Sequence, residues 1–507
     1  MEKRRVRVVN MIPKSVSSET NQDSEPQLTV DPENHRTIVG TSFTPPPGGG
    51  SLAPLFVSVD GGDTWTLDLV FPGAGGVTGD TNDQSVRFGG ASSLYAGLLR
   101  GDNLKLDILR SAPYSPTAVM TPLVQDPSPV IDQPYLAVAQ SKGKDRVFVG
   151  NNDESSGPWR GSVEHSPDAR TAPAPAGFTQ SALDQRLPFF RELPPIRCAP
   201  HHDGTVYAGY LSVRKFQVSD SLVDVVVARD DNFATGATPF TALLDPGDLL
   251  PGMRVVKSTP TPWTSPFSFL GNERVGSNLS LAVDPANSDV VYLAWSNGPV
   301  SGVTQSLRVQ RSTDRGLTWS GDLVDVPNAT NPALAVTAGG RVGFLYQQRV
   351  TPSSGSPRWE THVQVTRDAW ASPPEDIVVA ATPDTPNPPG YSGPHHYDPY
   401  IGDYADLQAA GREFYGIFCA LNTPDLANFP HGVRFQRNAD FSTHQLFDLS
   451  GVTPVASSID PFFVHISWHE EHELEDERGP GFERVRVKGL RYERLEIDEL
   501  VIDIEHK

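Results

Sequence analysis

Cysteine is nearly missing from this chain: Cys198 and Cys419 are the two present in 507 residues, far apart and in no metal-type spacing. Their scarcity excludes a disulfide framework and a zinc ribbon, and both read as buried small hydrophobes. Long apolar runs are also missing, so no membrane insertion by a helix is expected. Basic residues are outnumbered, with 41 Lys and Arg against 61 Asp and Glu, for a net charge of −20. That balance argues against nucleic acid or an anionic membrane as partner, because repulsion would precede contact. It favours solubility and cation binding. The opening MEKRRVRVVNMIPKS is basic but lacks the apolar core of a secretory signal. The chain is therefore expected to be cytoplasmic as synthesised, or to leave by a non-Sec route.

What is abundant is turn chemistry. The chain has 44 Gly and 47 Pro, and short Val, Ile, Tyr and Phe runs alternate with Asp, Asn, Gly and Pro clusters, the pattern of an all-β protein. Two octapeptides nearly repeat, SVDGGDTW at 58–65 and STDRGLTW at 312–319. Fainter versions end β-like runs near Ser111, Ser166, Asp230, Asp368 and Asn438. A second series interleaves with this one, an apolar strand, a turn and a Val/Tyr/Phe strand, starting at Gln27, Ser85, Tyr135, Ile196, Leu279, Ala333 and Tyr404. The two series alternate strictly, so each unit reads as four strands with a polar turn before the last. Repeats at this spacing indicate a β-propeller of four-stranded antiparallel blades, seven by this count, with six as the alternative.

The pattern Ser-x-Asp-x-Gly-x-Thr-Trp resembles the Asp-box, or BNR repeat, of the sialidase-like propeller superfamily. It is carried by Ser58, Asp60, Gly62, Thr64 and Trp65, and again by Ser312, Asp314, Gly316, Thr318 and Trp319. The resemblance implies a structural hairpin turn remote from any active centre, with the Asp accepting backbone N–H bonds and the Trp packed between sheets. It also implies where an enzyme would keep its machinery: a Tyr nucleophile paired with Glu, an Asp acid/base, and three Arg on a substrate carboxylate. Tyr400 or Tyr404 with Glu25 and Asp403, and Arg87, Arg197 and Arg274, supply those types here. Against an exo-sialidase, the early Arg-Ile-Pro of that family is replaced by Met11-Ile12-Pro13, and its enzymes have six blades.

The segments leading into the inner strands are unusually polar. Asp23, Glu25, Asp83, Gln84, Asp132, Gln133, Asp398 and Asp403 could ring one mouth of the channel and hold sugar hydroxyls or a calcium ion, although no cofactor is required. The structural alternative is that strand starts need turn formers. His395 and His396 beside Asp398 are a minor metal candidate. HEEHELEDE at 469–477 has its histidines at i, i+3 rather than the i, i+4 of a zinc-protease helix, and reads as a solvated linker.

These readings divide the chain into an N-terminal extension (1–20), the propeller (21–456), an acidic linker (457–481) and a tail (482–507). In the tail apolar residues recur every five positions, in the rows Val485, Leu490, Leu495, Leu500 and Val487, Tyr492, Ile497, Ile502. One short chain cannot bury both rows, which suggests homo-oligomerisation or docking. The expectation is a non-enzymatic propeller that binds glycan or protein at its funnel. Its tail would couple it to an assembly, as cargo or appendage of a secretion or phage-like machine. The alternative is a glycoside hydrolase.

Overall fold

The computed structural model describes residues 2–21, 23–43, 54–69, 81–100, 105–116, 120–125, 131–153, 160–174, 177–186, 193, 195–215, 221–261, 275–298, 305–384, 401–470, 475–479, 482–492 and 495–505. Among these residues there are seven four-stranded sheets. Their inner strands are Ser24–Val30, Thr81–Phe88, Tyr135–Ser141, Arg197–Pro200, Leu279–Asp284, Ala329–Val336 and Asp406–Ala410, and they define blades one to seven in order. Each falls at the start of a unit in the interleaved series. Every neighbouring pair of blades encloses its own apolar cluster, including the pair formed by blades seven and one. The ring is closed, and the chain is a seven-bladed β-propeller. Cys198 and Cys419 are buried and free, in the clusters between blades three and four and between six and seven.

Blades one to six are continuous in sequence. Blade seven is not: its order, from the inside, is Asp406–Ala410, Glu413–Leu421, Ile459–Glu470 and the N-terminal Glu2–Asn10. This corrects two boundaries. Residues 1–20 are not simply an extension, because their first strand closes the ring. Residues 457–481 are not a linker, because they contain the third strand of blade seven, with Phe462, Phe463 and Val464 buried. The acidic text after residue 468 masked that strand.

Six of the seven polar turns join a third strand to a fourth. The version near Asn438 does not, and lies in the excursion between Glu413–Leu421 and Ile459–Glu470. Blade seven takes its fourth strand from the other end of the chain, so it has no such turn to make. In four of the six turns the backbone follows one rule. The side chain that opens the turn (Ser58, Asp230, Ser312 or Thr366) accepts the amide of the residue four ahead, Gly62, Ala234, Gly316 or Trp370, at 2.7–3.0 Å. That residue and the one before it both have positive φ, from 51° to 91°. Only two of these eight left-handed positions fall on the octapeptides' shared Gly, yet the turn persists.

A second unit, residues 1–6 with 466–507, contains a three-stranded antiparallel sheet of Glu475–Gly479, Phe482–Tyr492 and Leu495–Glu505. Val485 stands opposite Ile502, Val487 opposite Leu500, and Leu490 opposite Ile497. Among the described residues, no helix is long and apolar enough to cross a membrane.

Candidate functional site

The inner strands begin at one mouth of the channel, and their first residues are held in an unusual backbone. Glu25, Gln133 and Asn331 have φ of 52°, 49° and 56°, and each precedes a proline. Left-handed non-Gly residues are uncommon and persist only where their surroundings hold them. Here the surroundings are a polar network. Gln133 Nε2 donates to Ser277 Oγ (3.0 Å) and to Asp403 Oδ2 (3.1 Å), and Ser277 Oγ donates to the same carboxylate at 3.2 Å. Asn278 Oδ1 accepts from Thr330 Oγ1 and from the Asn331 amide, at 3.0 and 2.9 Å. Asn331 in turn donates to Gln347 Oε1 at 2.9 Å.

Directly beneath lies a layer that crosses the channel. Arg87 of blade two binds Asp406 of blade seven through both terminal nitrogens, at 2.8 and 3.1 Å, and donates to the Leu28 carbonyl of blade one at 2.9 Å. Burial disfavours the guanidinium, but Asp406 outweighs it and raises the pKa of Arg87. Tyr135 of blade three donates to Asp406 Oδ1 at 3.3 Å. Arg197 of blade four lies 4.1 Å from the centre of the Tyr135 ring and 5.7 Å from that of Tyr404, and donates to Gln133 Oε1 at 3.1 Å. Tyr404 donates to Asp83 Oδ1 at 2.9 Å. Burial first, then Asp83 and Glu25, push the Tyr404 phenol well above its ordinary pKa. Tyr135 is pushed up to about 12, by burial and by Asp406.

The structure thus brings Glu25, Asp83, Gln133, Asp403, Tyr404, Arg87 and Arg197 to the channel. Asp132 is half-buried at the mouth, with its amide donating to Asn152 Oδ1 at 2.9 Å. Gln84 turns away and donates to the Ser42 carbonyl at 3.2 Å. Asp23 faces Glu19 and Asp460, with one ligand-type oxygen of each within 4.8 Å of the others. Arg274, Tyr400, His395, His396 and Asp398 lie outside the described residues, as do 471–474 of the acidic run. Sequence reasoning missed Tyr135, Ser277, Asn278 and Asp406. Their signal was available, since all four sit at the same inner-strand start as the residues that were chosen.

The octapeptides lie elsewhere, between third and fourth strands. Asp60 Oδ1 accepts the amides of Asp63 and Thr64 at 3.0 and 2.9 Å, and Asp314 Oδ1 accepts that of Thr318 at 2.8 Å. Burial alone would raise the Asp60 carboxyl, but the bonds from Thr64, Ser58 and Asp63 hold it below its ordinary value.

No family model matches the chain, and no curated protein matches it. Solved structures do. The phage phi92 endosialidase is 12% identical, with 94% of this chain and 71% of that one covered at a TM-score of 0.44. A polysaccharide lyase acting as an ulvan lyase is 10% identical over 79% of this chain and 92% of its own, at a TM-score of 0.47. The α-L-arabinanase of Penicillium chrysogenum is 10% identical over 91% and 98%, at 0.41. At these values no residue of theirs maps onto a residue here, and the propeller rests on the seven sheets themselves.

Proposed function

We propose that this protein is a non-enzymatic propeller of the sialidase-like type that binds glycan at the mouth of its channel. The observation that carries this reading is the floor. Below the mouth the channel is crossed by side chains bonded to one another, leaving a polar basin rather than a tube. Groups that hydrolysis would need are engaged within it: Arg87 is held on Asp406, and the Tyr404 phenol, hydrogen-bonded to Asp83, is far from ionising. A basin of amides, hydroxyls and carboxylates suits sugar hydroxyls, which both donate and accept. The reading requires no cofactor. A calcium ion belongs to it only if Asp23 proves to be a ligand. The tail is taken to couple the propeller to copies of itself or to a larger assembly, and export by a non-Sec route would bring it to extracellular glycans.

One observation favours the hydrolase alternative. Tyr404 has Glu25 and Asp83 close by and Arg197 over its ring, a composition that a tyrosine nucleophile also uses. The deciding experiment is a glycan array on the full chain, run beside turnover of a fluorogenic sialoside. Glycan retention without turnover, lowered about tenfold or more by Asp132→Asn at unchanged melting temperature, is expected. Turnover abolished by Tyr404→Phe would replace the binder with the hydrolase.

A further inference from the structure

The channel does not end at its floor. Beyond the layer of Arg87, Tyr135, Arg197 and Asp406 lies a chamber of about 360 Å³, lined by residues of all seven inner strands. It opens away from the mouth, past Pro32 and Pro200. Its surface is mainly polar, because aliphatic side chains of the inner strands, Leu136, Leu281 and Leu334 among them, are buried in the clusters between blades. The charged groups among the lining residues are Arg87, Arg197 and Asp406, and their charges are matched. Arg87 holds Asp406 through two bonds. Arg197 interacts with Asp83 and Asp406 and lies over the Tyr135 ring. Hydrogen-bonding capacity is what remains. Ser280 of blade five and Gln408 of blade seven are half-buried lining residues. Ser280 Oγ accepts the Leu334 amide at 2.9 Å, and Gln408 Oε1 accepts the Val30 amide at 3.4 Å. The Ser280 hydroxyl hydrogen and the Gln408 Nε2 donate to no described residue.

We propose that the chamber is a second binding site, separate from the mouth, for a neutral polyhydroxylated molecule of monosaccharide size, held by Ser280 and Gln408 over the paired charges of the floor. The volume lies within the usual range of small-molecule pockets, about 300–1,000 Å³. An ion of either sign would enter without a counter-charge, since each charge of the floor is already matched. An apolar molecule would cover the Ser280 and Gln408 donors and leave them unsatisfied, at the full cost of their desolvation. Hydroxyl groups both donate and accept, so they satisfy the side-chain donors and the remaining lone pairs of the same oxygens. Ser280 and Gln408 also come from different blades, which fixes a ligand from two directions. The site goes beyond the glycan reading and does not depend on it, since its ligand approaches from the other end of the channel.

The test titrates the full chain by calorimetry with glucose and sorbitol, beside glucuronate and gluconate as anionic matches and N-methylglucamine as a cationic one. At least one neutral probe should bind saturably, with a Kd of about 1 mM or below and about tenfold more tightly than its charged counterparts. Gln408→Leu should weaken that probe about tenfold while leaving glycan retention at the mouth unchanged. Asp132→Asn, at the mouth, should leave the probe's affinity as it was. Gln408→Glu is the second variant, should loss of the amide disturb the fold, because it keeps an oxygen for the Val30 amide. It adds a negative charge to the chamber wall, so N-methylglucamine should gain on sorbitol about tenfold. No saturable binding of either neutral probe, or binding of a charged counterpart as tight as theirs, would overturn the proposal. So would an affinity that falls in Asp132→Asn and not in Gln408→Leu, or a Gln408→Glu chain in which N-methylglucamine gains nothing.

Discussion

The two octapeptides write nearly the same sentence and build the same turn, yet the molecule uses them differently. The copy at 58–65 sits where the ring closes. Trp65 is 1% exposed, packs edge-on against Phe463 with ring centres 5.3 Å apart, and has its backbone clamped at both N–H and C=O by the Gln436 amide (2.8 and 3.0 Å). The copy at 312–319 sits between blades four and five. Trp319 there is half-buried, and its indole donates back to the Gly316 carbonyl of its own turn at 3.2 Å. Local sequence writes the turn, and the neighbouring blade decides what the turn holds together. Burial of both tryptophans was expected from the repeat; it is met at Trp65 and only partly at Trp319.

The largest effect that would sharpen this contrast is at the indoles. Trp65→Ala should cost about 3–5 kcal/mol, as for a buried aromatic, while Trp319→Ala should cost about 1–2 kcal/mol in line with its partial burial. Urea unfolding of both variants measures the difference, and equal costs would remove the distinction between closure and interior. The shared glycine comes next. Both Gly62 and Gly316 have positive φ, so any side chain is strained there. A Cβ on Gly62 would stand 2.2 Å from the Phe463 ring, whereas on Gly316 it would stand 3.0 Å from Leu243 Cδ1. Gly62→Ala should therefore cost about 3 kcal/mol, and Gly316→Ala about 1–2 kcal/mol.

The smallest effect belongs to the closure alone and appears as a pH dependence. Glu19 lies with Asp23 and Asp460 around Arg437, whose guanidinium reaches Asp460 at 3.1 Å and Glu19 Oε2 at 3.8 Å. Burial first, then Asp460, raise the Glu19 pKa from 4.5 to about 8. The folded chain thus holds a proton there that the unfolded chain releases, and this contribution to stability is lost as pH rises from about 4.5 to 8. Glu19→Gln keeps the oxygen that accepts the Asn21 amide. It should raise the melting temperature at pH 8 relative to wild type more than it does at pH 5. A shift independent of pH would show that Glu19 is ionised in the fold.

Much of the architecture was legible in the sequence, because a propeller is periodic. The inner-strand series marks every first-to-second hairpin, and the polar-turn series marks six of the third-to-fourth turns. Blade seven was legible only in part. Its strands come from both ends of the chain, and no local pattern in Glu2–Asn10 announces a partner more than 400 residues away at Ile459–Glu470. At the channel, strand starts rich in Asp, Gln and Arg could be picked out because each carries its chemistry in its own text. Their pairings could not. Whether Arg87 finds Asp406, and Arg197 the rings of Tyr135 and Tyr404, depends on which inner strands face each other across the ring.

The sequence by itself therefore determined an all-β ring of repeated four-stranded units and the form of the turns that end them, since those follow from alternation, turn residues and side-chain-to-backbone bonds within a few positions. Only the tertiary structure decided that the N-terminal strand closes the ring, that Trp65 is buried where Trp319 is half so, and that the channel is divided by a floor in which Arg87 is bonded to Asp406 and Arg197 to Gln133. The physical reason is range. Backbone bonding and alternation act within a hairpin, whereas burial and charge compensation are set by residues that only closure of the ring brings together.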